Sequence, residues 1–455
     1  MFLDKNPFSD EIKTYYIENK MKRTKLSAVL LLILFLCLFL QSNVIAQSNT
    51  IVVPDDYATI QEAIDNAFYG DVILVKTGSY TGSVVISKSI TLVGEEKEET
   101  IILGDWSLNG TVILVQNDEV VVKNLTMKAV YNSGPSGRGV HLLHVKNCQV
   151  TNCIFQCGIG VWLYGADNNV VKNNQISGVG ISFPTNAGVK LQQSTNNTID
   201  QNTINGYVYG YGIFLDYSSE NDLIRNQISN NYYEVLIKDS EKNSINNNSI
   251  STSISIFINP TDQSMLESYG IRLQGSSDNT VIGNSVKCPK GIRILLSSVN
   301  NTIENNFISD CRYNGLEFVE DANYNQVTSN TIMNNGVGIN FWNSSKNIIY
   351  SNNFINNDAP VSIYSLNDSN SFDDGTKGNY WSNYSTIYPN ATEIDDSGIW
   401  NTPFYLNKYN IDHFPLKQAV EVIPEFSSWI ILPLIIALTL ATIYSRSKLG
   451  RREKQ

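Results

Sequence analysis

Asn197-Thr198-Ile199-Asp200-Gln201-Asn202-Thr203-Ile204, followed by Gly212-Ile213-Phe214-Leu215, is one copy of a pattern that recurs along the chain. It consists of an Asn, an aliphatic residue two further on, a second Asn five after the first, and an apolar residue two beyond that. A glycine leading an apolar alternation then follows. The first Asn falls at Asn169, Asn197, Asn221, Asn243, Asn279, Asn301, Asn325 and Asn347. The second falls at Asn174, Asn202, Asn226, Asn248, Asn284, Asn306, Asn330 and Asn352. The glycine falls at Gly139, Gly160, Gly188, Gly212, Gly270, Gly291, Gly315 and Gly338. Copies lie about 21 to 28 residues apart, save one step of 36 from Asn248 to Asn284.

Each short piece is apolar at every second position, the mark of a strand with one buried face. Three such strands joined by Asn, Gly and Ser make one coil of a solenoid, and a coil buries its apolar residues only against its neighbours. An Asn at the same corner of every coil can pass a side-chain amide hydrogen bond along the axis, and it tolerates a left-handed backbone. The expectation is an all-β, right-handed parallel β-helix of roughly twelve coils, about 55–60 Å long at ~4.8 Å per strand.

Working outward, Thr59-Ile60-Gln61-Glu62 is a capping-box pattern,. Ile60, Ala63, Ile64 and Ala67 share one face of the short helix it opens, which predicts an N-terminal capping helix. The long step predicts a loop at Ser251–Ser268. From about Phe372 to Leu416 the repeat gives way to an aromatic, polar segment suited to covering the last coil. Near the start, Lys22, Arg23 and Lys25 precede the apolar run Leu26–Leu40 and the small-residue site Val44-Ile45-Ala46. This reads as an export signal, with either Met1 or Met21 as the start, a mature chain beginning near Gln47, and a retained signal anchor as the alternative. The apolar run Trp429–Tyr444 is followed by Arg446, Lys448, Arg451, Arg452 and Lys454. It predicts a C-terminal transmembrane helix with a cytoplasmic basic tail, so that the rest is extracytoplasmic and membrane-anchored.

The resulting layout is an extension and signal peptide at 1–46, a cap with the first coils at 47–119, and repeats at 120–371. An aromatic cap follows at 372–416, a linker at 417–424, and the membrane helix with its tail at 425–455. The chain has 455 residues, is only 16% charged and carries a net charge of −11. With no basic cluster in the ectodomain, nucleic acid is excluded as a partner. Cys37 leaves with the signal, and the five Cys that remain argue against a disulfide-stapled scaffold,.

The Asn/Gly repeat over about Val120–Asn370 resembles the parallel β-helix repeats of NosD-like proteins, within the wider class of carbohydrate-binding and sugar-hydrolase β-helices. Ile51-Val52-Val53-Pro54, Tyr57–Ile64 and Gly78-Ser79-Tyr80 resemble that family's first coil. Gly378–Tyr384, Asn401–Phe404 and Asp412–Leu416 resemble its end. Pro424-Glu425-Phe426 resembles an archaeal surface-sorting signal, which implies a cell-surface protein of a methanogenic archaeon. The family name implies copper handling.

Three chemistries are open to this chain. His141, His144, Cys148, Cys153 and Cys157 are types that suit copper,. However, Cys148 and Cys153 occupy the Asn columns and read as buried ladder residues, so no metal ligand and no cofactor is assigned. A polysaccharide lyase or hydrolase needs grouped carboxylates. Asp55-Asp56, Asp373-Asp374 and Asp395-Asp396 lie near ends or turns, and nothing gathers around Asp216 or Glu317, so no catalytic residue is assigned. The opening coil also resembles that of pectin methylesterases, but Thr81 stands where they carry Glu. Binding is the preferred reading. Residues two and four after each glycine face outward and include Trp162, Tyr164, Lys190, Phe214, Arg272, Arg293 and Trp342,. Such a stripe suits an envelope or extracellular polysaccharide if the rings are open, and is a structural surface if the rings pair across coils.

Overall fold

Each corner of the chain turns through a residue with positive φ placed immediately before a buried one. Asn168 (φ 57°) precedes Asn169, Asn173 (φ 56°) precedes Asn174, and the same holds through Lys346 (φ 62°) and Ser351 (φ 54°) before Asn347 and Asn352. The left-handed residue is therefore the neighbour of the ladder Asn, not the ladder Asn itself as its tolerance for that backbone suggested. The ladder Asn turns inward, where its amide bonds the corners of the neighbouring coils.

In the computed structural model, residues 48–105, 107–129, 137–178, 185–252, 268–365 and 367–421 are described. They form a right-handed parallel β-solenoid of three sheets, visited in the order A, B, C from strand Val72–Val75 to strand Ala359–Ile363. Sheet A has thirteen strands, from Thr50–Val53 to Ile348–Tyr350, and sheet B has thirteen, from Gly78–Thr81 to Tyr380–Trp381. Sheet C has twelve, from Val84–Ile86 to Ala359–Ile363. The total of about thirteen turns exceeds the expected twelve because some coils lack the motif. The first coils carry Val120 and Leu125 in the Asn columns, and the strand Tyr233–Lys238 has Glu234 in the glycine column. The signal segment, the apolar run Trp429–Tyr444 and most of the Ser251–Ser268 loop lie outside the described residues. Among the described residues no helix is long and apolar enough to cross a membrane.

Two Asn ladders bracket sheet A. Asn202 Oδ1 accepts from the backbone N–H and the Nδ2 of Asn174, both at 3.0 Å, while its own Nδ2 donates to Asn226 Oδ1 at 3.0 Å and to the Val171 carbonyl at 2.9 Å. The same bonds recur from Asn226 through Asn248, Asn284, Asn306, Asn330 and Asn352 to Asn379. Every polar hydrogen and oxygen at the corner is thereby used, which is what allows so many amides to be fully buried. A serine column runs beside them: the backbone N–H of Ser194 donates to Ser218 Oγ at 3.1 Å, and that of Ser218 to Ser240 Oγ at 2.8 Å.

The glycine column exists because strands of sheet C pass close to sheet B. A Cβ on Gly160 would lie 2.4 Å from Ile176 Cγ2 and 2.6 Å from the Gly188 carbonyl. Helix α1 (Ile60–Asn66) closes the N-terminal end, with Thr59 and Glu62 exchanging a capping box and Ile60, Ala63 and Ile64 buried. At the other end Trp381 is stacked between Phe354 (4.4 Å) and Phe404 (4.5 Å). The antiparallel hairpin of Phe404–Asn407 with Asn410–Asp412 then receives both ladders. Asn410 Oδ1 accepts from the Asn370 N–H at 2.8 Å, and Asp412 Oδ2 from the Asn379 N–H at 2.7 Å.

Candidate functional site

Period-two alternation places His141, Trp162, Lys190, Phe214, Leu236, Arg272, Arg293, Glu317 and Asn340 in one column on the outer side of sheet C. A second column holds Leu143, Tyr164, Gln192, Asp216, Lys238, Gln274, Leu295, Val319 and Trp342. Stacking also aligns the residue before each glycine: Arg138, Tyr211, Tyr233 (before Glu234), Tyr269 and Lys290 come onto the same face. Sequence reasoning missed that third column, although it was legible as the position preceding the repeat glycine. It also missed the coil of Leu236 and Lys238, which has no glycine to mark it.

The rings of the first part of the face are taken up by one another. His141 lies flat on Trp162 at 4.5 Å, the Arg138 guanidinium stands 4.4 Å from the Trp162 ring centre, and Lys190 Nζ stands 5.2 Å from it. Tyr164 meets Trp162 edge-on at 5.8 Å. Tyr211 stacks on Phe214 at 4.6 Å and on Tyr233 at 5.7 Å, and Tyr233 stacks on Tyr269 at 5.7 Å. Arg272 lies over both Tyr233 and Tyr269 and donates to the Tyr233 hydroxyl at 3.2 Å. Arg293 donates to the Tyr269 hydroxyl.

Trp342 belongs to a different neighbourhood, seven strands further along the sheet from Trp162. It is 53% exposed, and Tyr364, just past the end of the next strand, is 72% exposed. Neither ring stacks on another among the described residues.

The face also gathers buried polar atoms that lack a hydrogen-bond partner. Seven of the nine such side-chain atoms among the described residues are here: Arg138 Nε, His141 Nε2, Trp162 Nε1, Arg272 Nε, Arg293 Nε, Glu317 Oε2 and Asn340 Oδ1. Arg293 Nε and Glu317 Oε2 stand 3.3 Å apart as an ion pair, but not aligned as a hydrogen bond. Buried polar groups are almost always satisfied, so these atoms are ones that bound water would complete. Burial, with Arg138 alongside, lowers His141 to about 4, so its ring is neutral at physiological pH. Asp216, the other carboxylate of the face, stands 3.4 Å from Lys238.

Cations from separate coils meet here as well: Arg138, Lys190, Lys238, Arg272, Lys290 and Arg293. The absence of a basic cluster in the linear sequence did not foresee this. A solenoid makes neighbours, ~4.8 Å apart, of residues a whole coil apart in sequence.

Away from this face, among the described residues, one concavity of about 370 Å³ lies beside Ile348, Ser371 and His413 and another of about 400 Å³ beside Gln61 and Tyr80. His413 Nδ1 stands 2.8 Å from Asp373 Oδ2 at the first. Neither concavity contains an unpartnered buried polar atom among its lining residues.

Residues 64–265 and 258–386 match the family model described as "Periplasmic copper-binding protein (NosD)". The chain belongs to the NosD family. The donor set of this NosD-family chain does not fit copper among the described residues. Cys148, Cys153 and Cys157 are buried, and their thiols donate to the carbonyls of Asn117 (3.4 Å), Thr151 (3.3 Å) and Met127 (3.6 Å). Burial pushes Cys148 up to about 11 and Cys153 and Cys157 up to about 12, which opposes the thiolate a metal requires,. The ring of His141 lies on the outer face instead, and among the described residues no three His, Cys, Asp or Glu side chains converge as ligands would.

No curated protein matches the chain. Among solved structures, the A-module of mannuronan C-5 epimerase AlgE4 from Azotobacter vinelandii is similar at 16% identity. That match covers 69% of this chain and 95% of that one, with a TM-score of 0.44. A GH87 alpha-1,3-glucanase catalytic domain is similar at 16% identity over 71% of this chain and 68% of that one, with a TM-score of 0.43. An alginate lyase from Paenibacillus sp. is similar at 17% identity over 65% of this chain and 97% of that one, also at 0.43. No activity of this chain follows from likenesses of that order.

Proposed function

We propose that this chain is a cell-surface, membrane-anchored β-helix that binds carbohydrate along the outer face of sheet C. The observation that carries the reading is the run of aromatic rings and cations along that one face, ending at the exposed rings of Trp342 and Tyr364. A sugar presents both hydroxyl donors and hydroxyl acceptors, and so can bond the partly exposed ends of Lys190, Asp216, Arg272 and Gln274. The open rings of Trp342 and Tyr364 supply flat apolar area at the end of the face,. Anchoring is supported by the apolar run Trp429–Tyr444 and its basic flank,.

The face is less suited to hydrolysis. Its carboxylates, Asp216 and Glu317, stand four strands apart, which is ~19 Å, whereas paired catalytic acids stand about 5–10 Å apart. The test is retention of the full chain, in detergent, on a glycan array. Trp342→Ala is expected to weaken retention about threefold to tenfold with the fold intact by circular dichroism. Absence of binding to every glycan, or retention unaffected by Trp342→Ala, would sink the reading.

A further inference from the structure

We infer that the glycan held by sheet C is acidic and extended, with its anionic groups lying over Arg138, Lys190 and Arg272; this rests on the reading of that face as a carbohydrate site. Of the six cations gathered there, Lys238 has Asp216 and Arg293 has Glu317. Arg138, Lys190 and Arg272 have no carboxylate within ion-pair distance among the described residues, although the whole chain carries a net charge of −11. These three, resting on rings and partly exposed, can take an anion without first giving up a carboxylate partner.

Their spacing sets the ligand's shape. Arg138 and Lys190 are two strands apart, and Lys190 and Arg272 three, so the three charges spread over ~24 Å. A single phosphate or sulfate cannot reach them all, whereas a chain bearing repeated carboxylates or sulfates can. Each guanidinium rests on a ring, and its planar fork suits a carboxylate.

Charge also sorts along the axis. Cations stand on the strands from Arg138–Leu143 to Lys290–Leu295, and Glu317 and Asn340 take the same column on the strands beyond. The acidic part of the glycan therefore belongs over the earlier strands and a hydroxyl-rich part over the later ones. Single-stranded nucleic acid is also a polyanion, but it needs open ring faces for its bases. Here Trp162, Tyr211, Tyr233 and Tyr269 are already stacked or covered by cations.

Titration calorimetry of the full chain in detergent would use polygalacturonate, a neutral glucan of matched length and oligothymidylate. Polygalacturonate is expected to bind at least about tenfold more tightly than the glucan, with affinity falling as salt is added. Lys190→Gln and Arg272→Gln should each remove most of that preference, and Lys190→Arg should retain it. Glucan binding as tightly as polygalacturonate overturns the acidic ligand while leaving the carbohydrate reading intact. Oligothymidylate binding more tightly than polygalacturonate also overturns it, and failure of both glycans removes the underlying reading too. If a variant does not fold, the comparison of ligands on the wild-type chain still decides.

Discussion

The two ends of the outer face of sheet C are built on the same backbone and differ in almost everything laid upon it. From strand Arg138–Leu143 to strand Tyr269–Gln274, aromatic rings stack on one another and on Arg and Lys, leaving buried N–H donors unsatisfied. From strand Asn314–Val319 to Tyr364 the rings stand open and the unsatisfied atoms are oxygens. Through both stretches the Asn ladders bracketing sheet A continue, with 2.9 Å from Asn202 Nδ2 to the Val171 carbonyl and 2.8 Å from Asn330 Nδ2 to that of Ile303. In a solenoid, then, interior and exterior are decoupled: one repeat fixes the rod, and each outward position is free to carry its own chemistry.

The largest test of that division lies beneath the cation-lined half. Glu234, fully buried, accepts from the Asn231 N–H at 3.0 Å and from Asn231 Nδ2 at 2.6 Å, and burial raises it to about 8. The folded state keeps a proton that the unfolded chain releases from about pH 4.5 upward, so stability is greatest below that pH. It declines as pH rises to about 8 and is level beyond, by at most about 5 kcal/mol at ~1.4 kcal/mol per unit. Asp412, raised to about 7 by burial, acts in the same direction at the far end. Denaturant midpoints between pH 5 and pH 9 should show the decline, and Glu234→Gly should flatten most of it. If instead Asp412→Asn removes the slope and Glu234→Gly does not, the carboxyl under the cation-lined half is not the source.

The ladders should be indifferent to which half they support. Asn202→Ala and Asn330→Ala each strand two N–H donors of the preceding Asn. Each should cost about 3 kcal/mol in denaturant unfolding, and a difference of more than ~1 kcal/mol between them would show that the interior is not uniform. The smallest expected effect addresses the border between the halves. Glu317→Gln releases Arg293 from its ion pair, so the cationic stretch gains one strand. Affinity for polygalacturonate should rise about twofold to fivefold by calorimetry, and an unchanged or lower affinity would show that the border lies elsewhere.

Much of the rod was legible in the sequence because its repeat is physical: Asn174 to Asn352 recur where corner amides need a partner. Cys148 and Cys153 sit at the ladder heads, donating from their backbone N–H groups to Asn169 and Asn174 at 2.8 and 2.9 Å. The count of turns was less legible because apolar Val120 and Leu125 can occupy the same corners. The site was legible only in part. Trp162, Lys190, Phe214, Arg272 and Arg293 do share a face and belong to one run of contacts, whereas Trp342 stands apart and Tyr164 touches only the edge of the run. Whether a ring is open or paired depends on residues one coil away, as with His141 on Trp162, and no single coil contains that information. Arg138, Tyr233 and Tyr269 escaped notice because their column varies from coil to coil, unlike the glycine column beside it.

The ladders have one electrical consequence. Each side-chain oxygen faces the N-terminal end of the rod, and one hydrogen of each amide faces the other way. Their dipoles therefore add along the axis, as peptide dipoles add in an α-helix. The rod has a partly negative pole near Asn169 and Asn174 and a partly positive pole at the C-terminal hairpin. Asp412 sits at the positive pole, receiving the last N–H of its ladder, although burial outweighs that field and raises its carboxyl. The side-chain cations Arg138 and Lys190 stand toward the negative pole. The scaffold thus holds a fixed electrical direction before any ligand arrives, set by which way its asparagines point.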